Sequence, residues 1–231
     1  MLAIAMLLVA AGGTATSLLA SAAPATPRQV QLTGTQLAAA LVPASAFAPG
    51  YQYDGSTDSS SGSHLETGPA KYKPSSISCP AFAVYFGSTG WGETAVAGAR
   101  YGKRADDGSA TSQYGEGVYQ FASDKGASAF WHGLRELTAR CPGLGSASPT
   151  WSVRQQISAI QLPGAQAFEL DVTAAGKLAG LRMTMHTKMW IAVAGQDVFE
   201  VDATGIDMPV PAVPTVMTIT HKLITRVQTA R

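Results

Sequence analysis

The stretch that decides the architecture is Leu178-Ala-Gly-Leu-Arg-Met-Thr-Met-His-Thr-Lys-Met-Trp-Ile-Ala-Val-Ala194, followed by Gly195-Gln-Asp-Val-Phe-Glu-Val-Asp-Ala-Thr204. In it Leu181, Met183, Met185, Met189, Ile191 and Val193 alternate with Arg182, Thr184, His186, Lys188 and Trp190. A period of two marks a strand with one buried and one wet face. If the apolar residues of both strands share one side, Val193 pairs with Phe199 and Ile191 with Val201. Gly195-Gln196-Asp197 is then a three-residue hairpin loop, because a slip of one residue would bury Glu200.

Working outward, Thr150 to Ile160 and Ala167 to Ala174 read as two further strands of the same meander, ahead of Leu178 to Ala194 and Val198 to Thr204. Upstream, Glu93 to Lys103 and Ser112 to Phe121 are strands separated by the polar turn Arg104-Ala-Asp-Asp-Gly-Ser. Between Ser123 and Cys141, the residues Ala127, Phe130, Trp131, Leu134, Leu137, Thr138 and Cys141 recur at steps of three and four. That predicts an amphipathic helix ending at Pro142-Gly143, with Cys141 facing inward beside Trp131 and Leu134. Val213, Val216, Met217, Thr220, Leu223, Ile224 and Val227 mark a last helix, Thr33 caps a short Ala/Leu helix stopping at Pro43, and Ser75 to Phe86 reads as another. Antiparallel strands with helices packed on one face define an α+β fold, here a sheet of about six strands.

Residues 1–25 read as a secretory signal: an apolar run from Leu2 to Leu19, no charge before Arg28, and small residues Ala20-Ser-Ala-Ala-Pro-Ala25 suited to cleavage. The dense run Leu2 to Ala11 is short for a span of about 20 residues, so a stable membrane span after cleavage is not expected; an uncleaved anchor is the alternative. Residues 26–231 then form one domain, in which 54–63, nearly all Ser, Gly, Asp and Thr, is expected to be a mobile loop. Export makes Cys79 and Cys141 most simply one disulfide; two unpaired buried thiols are the other reading. No asparagine occurs, which excludes N-linked glycosylation. Sixteen Lys+Arg against fifteen Asp+Glu give a charge of +1, with no basic arm for nucleic acid.

For chemistry the sequence offers little. It contains no nucleophile elbow, Walker loop, dinucleotide fingerprint or paired-histidine zinc motif, and neither metal nor cofactor is expected. The strongest cluster is the polar side of the long strand: Arg182, His186, Lys188 and Trp190, with Arg154, Glu169 and Asp171 on neighbouring strands. These would line a ligand cleft, or form a solvated sheet surface tied by cross-strand pairs such as Lys188 with Asp202. A hydrolase built on His186 and Asp171 is the enzymatic alternative, and an exported protein-interaction module a third.

The segments Leu32-Thr-Gly-Thr-Gln-Leu-Ala-Ala-Ala-Leu-Val-Pro-Ala-Ser-Ala-Phe-Ala-Pro-Gly-Tyr51 and Tyr119-Gln-Phe-Ala-Ser-Asp-Lys-Gly-Ala-Ser-Ala-Phe130 carry a resemblance, together with the Ser/Gly/Asp-rich loop, the Cys79 helix, a helix ending in Arg140-Cys141 and the terminal strands and helix. With them the chain resembles a family of actinobacterial secreted sensor domains and lipoproteins similar to the extracellular domain of the mycobacterial kinase PknH. The resemblance implies a curved antiparallel sheet, a cleft for a small-molecule, lipid or cell-wall ligand, an extracellular or cell-envelope location and no enzyme activity. The mycobacterial kinase sensors of the family usually carry four cysteines in two bridges, of which only Cys79 and Cys141 match here. With no kinase or transmembrane segment after Arg231, signalling within one chain is not expected.

Overall fold

The computed structural model describes residues 30–53, 58–61, 71–79, 90–104, 110–141, 151–178, 181–207, 210 and 213–231. The expected signal segment, most of the expected Ser75 to Phe86 helix and parts of the 54–63 segment lie outside them.

Among the described residues eight strands make one open antiparallel sheet: β1 (Gln52–Tyr53), β2 (Asp58–Ser61), β3 (Glu93–Arg104), β4 (Ala110–Phe121), β5 (Trp151–Leu162), β6 (Ala165–Leu178), β7 (Leu181–Ala194) and β8 (Asp197–Ile206). Their order is β1-β3-β4-β8-β7-β6-β5, with β2 also on β3. The six long strands are those expected from the sequence. Within the segment expected to be a loop, Asp58–Ser61 instead pairs with Gly98 to Ala95 of β3. A strand at a sheet edge needs only its backbone groups, and a Ser-rich run supplies those without apolar side chains.

Among the described residues three α-helices cover the sheet, α1 (Gly34–Ala40), α2 (Asp124–Arg140) and α3 (Val213–Thr229). Thr33 caps α1 in a full capping box with Gln36, and Ser123 caps α2 by accepting from the Gly126 N–H. The α2 stripe Ala127, Phe130, Trp131, Leu134, Leu137 and Thr138 is buried as its spacing predicts. The α+β class and antiparallel sheet hold. The helices, however, occupy both faces rather than one: α2 packs on Phe168, Leu170, Ile191, Val193 and Val198. α1 and α3 pack on Trp190, Ala192, Ala194, Phe199, Val201 and Ala203.

That two-sided cover changes the hairpin. Ala194 pairs with Asp197 and Val193 with Val198, so the loop is the two-residue Gly195-Gln196 and not the expected three. Gly195 has φ +61°, the left-handed geometry that a II′ turn asks of its first central residue. With helices on both sides, Phe199 and Val201 need not share a face with Ile191 and Val193. Each set meets its own helix layer, and Glu200 turns toward the α2 side.

Cys79 and Cys141 form a disulfide with Cα atoms 5.2 Å apart, across 62 residues. It fastens the segment after the 3₁₀ turn Pro74–Ser76 to the C-terminus of α2, where Arg140 Nη2 also donates to the Ile77 carbonyl at 3.0 Å. Gln155 Nε2 of β5 donates to the Thr138 and Cys141 carbonyls at 2.6 and 2.5 Å, tying the same helix end to the sheet. On the other face the Arg226 guanidinium donates to the last carbonyls of α1, at 2.8 Å to Ala40 and 3.0 Å to Ala39. This is where a cation suits a helix terminus.

At the β7–β8 turn the first and last described segments meet. Gln196 Nε2 donates to the Val30 carbonyl at 3.0 Å, and Gln31 Nε2 to Gln196 Oε1 at 2.9 Å. Arg231 Nη2 reaches both oxygens of the buried Asp197 at 2.8 and 2.6 Å. Burial pushes the Asp197 carboxyl up to about 6, and the Arg231 charge holds it from going higher. No described helix is long and apolar enough to cross a membrane.

Candidate functional site

The α2 side of the sheet is filled under the helix, but beyond it β3 and β4 run out of side chains. The register sets Gly98 opposite Gly117 and Arg100 opposite Gly115. It then sets Gly117 opposite Glu200 and Gly115 opposite Asp202. On the far side Ile191 faces Glu200 and Met189 faces Asp202. Two rows therefore cross four strands, Gly98-Gly117-Glu200-Ile191 and Arg100-Gly115-Asp202-Met189. A glycine inside a strand marks a place where another group comes close to the backbone.

At Gly115 that group is Asp202. A Cβ on Gly115 would lie 2.0 Å from Asp202 Oδ1 and 3.0 Å from its Cγ, so the carboxylate lies across the bare strand on the Arg100 side of β8. Beside Gly117 stands the Tyr119 ring, its Cε2 3.4 Å from where a Cβ would be. The Tyr119 hydroxyl donates to Glu200 Oε2 at 3.3 Å, and Thr204 Oγ1 to Asp202 Oδ2 at 3.4 Å. Thr187 and Thr204 hydroxyls lie 3.0 Å apart and extend the polar row.

Both acids are half-buried. Burial pushes the Glu200 carboxyl up to about 7, the neighbouring Asp202 charge adds to this, and the Tyr119 hydroxyl and Arg100 oppose it. Asp202 is also raised by burial, against the pull of Arg100. Burial and the Glu200 charge hold the Tyr119 phenol well above its ordinary range, so it stays a donor. Near neutral pH Glu200 thus stands close to the midpoint between its charged and protonated forms, beside Asp202, a phenol, two hydroxyls and a guanidinium. That set can orient a polar ligand. Among the described residues no group of three metal-ligating side chains occurs.

The residues expected from the sequence lie on the opposite face, the α1/α3 side. Arg154 pairs across Thr173 with His186, and Asp171 with Lys188. Lys188 Nζ bridges Glu169 at 3.2 Å and Asp171 at 2.9 Å. It does not meet Asp202, which is on the other side of the sheet because Lys188 pairs with Ala203. His186 Nδ1 shares a hydrogen bond with the Thr173 hydroxyl at 3.2 Å, so the Asp171 carboxylate serves Lys188 and not His186. Trp190 is not on a wet wall: it is 2% exposed, inside the α1/α3 core, with Nε1 donating to Glu169 Oε2 at 2.6 Å. Arg154 and Arg182 are exposed. Two concavities lie elsewhere, about 440 Å³ between α1 and α3 at Ala39, Ala40 and Arg226, and about 360 Å³ beside Asp124 and the Gly195 turn.

Glu200, Asp202, Tyr119 and Gly115 were missed by sequence reasoning, which took Glu200 as a solvated position. One signal was available. Gly115 and Gly117, two apart in a strand, match the two-residue spacing of Glu200 and Asp202, as side chains that must fit against bare backbone would require.

The fold these elements make is that of a known extracellular domain. The chain matches the crystal structure of the extracellular domain of PknH from Mycobacterium tuberculosis with a TM-score of 0.53 at 17% identity, over 86% of this chain and 97% of that one. It also aligns with an uncharacterised Mycobacterium smegmatis protein, an orthologue of Rv0999, at 12% identity and a TM-score of 0.39, over 80% of this chain and 92% of that chain. No protein-family model matches the sequence, and no curated protein does. At 17% identity the likeness to the PknH domain is one of fold.

Proposed function

We propose that this protein is a secreted, non-enzymatic, sensor-like domain that binds a small or cell-envelope-derived ligand in a cleft beside the sheet, and that the ligand is read by the Glu200/Asp202 pair. The observation that carries the reading is the glycine floor: the two positions facing the acids, Gly117 and Gly115, are bare, and the Tyr119 ring and Asp202 carboxylate lie against them, so two half-buried acids and a phenol converge on one stretch of sheet. Converging polar groups of perturbed pKa are a mark of binding sites. An extracellular setting is supported by the disulfide and by the fold shared with an extracellular domain.

The test is calorimetric titration of the oxidised, exported protein with soluble peptidoglycan fragments and with vesicles of envelope phospholipids. Binding should be saturable, and Glu200→Gln with Asp202→Asn should weaken it at least tenfold while leaving the melting temperature within a few degrees. No heat from any member of the panel, or binding untouched by the double substitution, overturns the assignment.

A further inference from the structure

The two edges of the sheet are built differently. On one side the outer strands are short, Gln52–Tyr53 and Asp58–Ser61, laid against β3. The other edge is β5, Trp151–Leu162, twelve residues long, with β6 on one side and no strand on the other among the described residues. Its pairing with β6 runs without a bulge from Trp151↔Gly176 to Leu162↔Ala165. Monomers guard long edges with charges, prolines or bulges. β5 carries one charged residue, Arg154, and meets no proline before Pro163.

We propose that a second copy of this chain occupies that edge, its β5 antiparallel to the first, so that one sheet runs through a two-fold axis. The strand is complementary to itself when the axis passes at Gln155. Val153 then faces Ile157, both half-buried and packed against the α2-side core, so the dimer extends that core across the axis. On the other face Ser152 meets Ser158 and Arg154 meets Gln156, all exposed in the single chain. A two-fold interface uses one patch twice and must satisfy itself. A strip with a single charge fits that demand, whereas a charged peptide would find only Arg154 to answer it. A strand of this length spans about 40 Å and is one strand wide, at the small end of specific interfaces, so association in the micromolar range is expected.

Sedimentation equilibrium of the full exported chain, from about 1 to 200 μM, should show the mass rising from one chain to two. In the dimer residue 156 lies opposite Arg154 of the other copy at two symmetric places. Gln156→Glu should therefore tighten the dimer about tenfold and Gln156→Lys weaken it about tenfold. Within one chain Gln156 pairs with Asp171, so the same substitutions should move the melting temperature at 1 μM the opposite way, Lys up and Glu down. That opposition separates association from folding. A single mass at 200 μM overturns the proposal, as do Glu and Lys variants that shift dimerisation in the same direction.

Discussion

Replacing Gly115 with alanine tests the floor of the acidic site directly. The new Cβ would sit 2.0 Å from Asp202 Oδ1, where ordinary contact begins at 3.4 Å, an overlap of 1.4 Å. The carboxylate must swing off β4, losing its Thr204 hydrogen bond and its approach toward Arg100. Overpacking of this kind costs about 1–3 kcal/mol. Alanine returns about 0.5–1 kcal/mol by restricting the unfolded chain. The net loss should be about 1–2 kcal/mol, or roughly 2–8 °C in melting temperature for a domain of this size. In an Asp202→Ala background the obstacle is gone, and Gly115→Ala should become neutral or stabilising. Urea denaturation of the four proteins gives the coupling, expected to be at least about 1 kcal/mol. A Gly115→Ala loss of the same size with and without Asp202 would refute the claim that the bare strand exists to seat that carboxylate.

Acidification should stabilise the fold. Glu116 and Glu200 are pushed up to about 7 and Asp197 to about 6, each chiefly by burial. Between the ordinary carboxylate range and these values the folded chain holds protons that the unfolded chain has released, so stability grows as pH falls from about 8 to about 5. Melting temperatures across that interval should rise toward acid, and Glu116→Gln should flatten the slope; a rise toward base would contradict the burial of these acids. Reduction of Cys79–Cys141 should cost about 4 kcal/mol by loop-closure entropy over 62 residues, lowering the melting temperature by roughly 8–16 °C. A reductant without effect on the melt would show that the bridge does not constrain the unfolded chain.

Elements whose sequence signal is local were legible. The α2 stripe, its Ser123 cap and the position of Cys141 follow from spacing and capping chemistry alone, and so does α3. The six long strands were visible for the same reason. What escaped depends on what lies across the sheet. The Leu181 to Ala194 alternation predicts one dry face, but Trp190, Ala192 and Ala194 are as buried as Ile191 and Val193. Alanine and tryptophan are read as apolar or amphipathic only once a second helix layer is known to cover them. The hairpin loop and the Glu200 orientation were misread through that one assumption. The site followed: an acid judged too costly to bury stands instead half-buried beside Tyr119, facing a glycine of the neighbouring strand.

The cluster at the Gly195-Gln196 turn has a topological consequence. Because Val30 and Gln31 are hydrogen-bonded to Gln196, and Arg231 to the adjacent Asp197, the first and last described residues lie together at one pole. A few flexible residues would bridge them, and the Pro163-Gly164 reversal offers an exposed place to reopen the polypeptide. The body is topologically close to a ring, able to be cut and rejoined without disturbing the order of its strands.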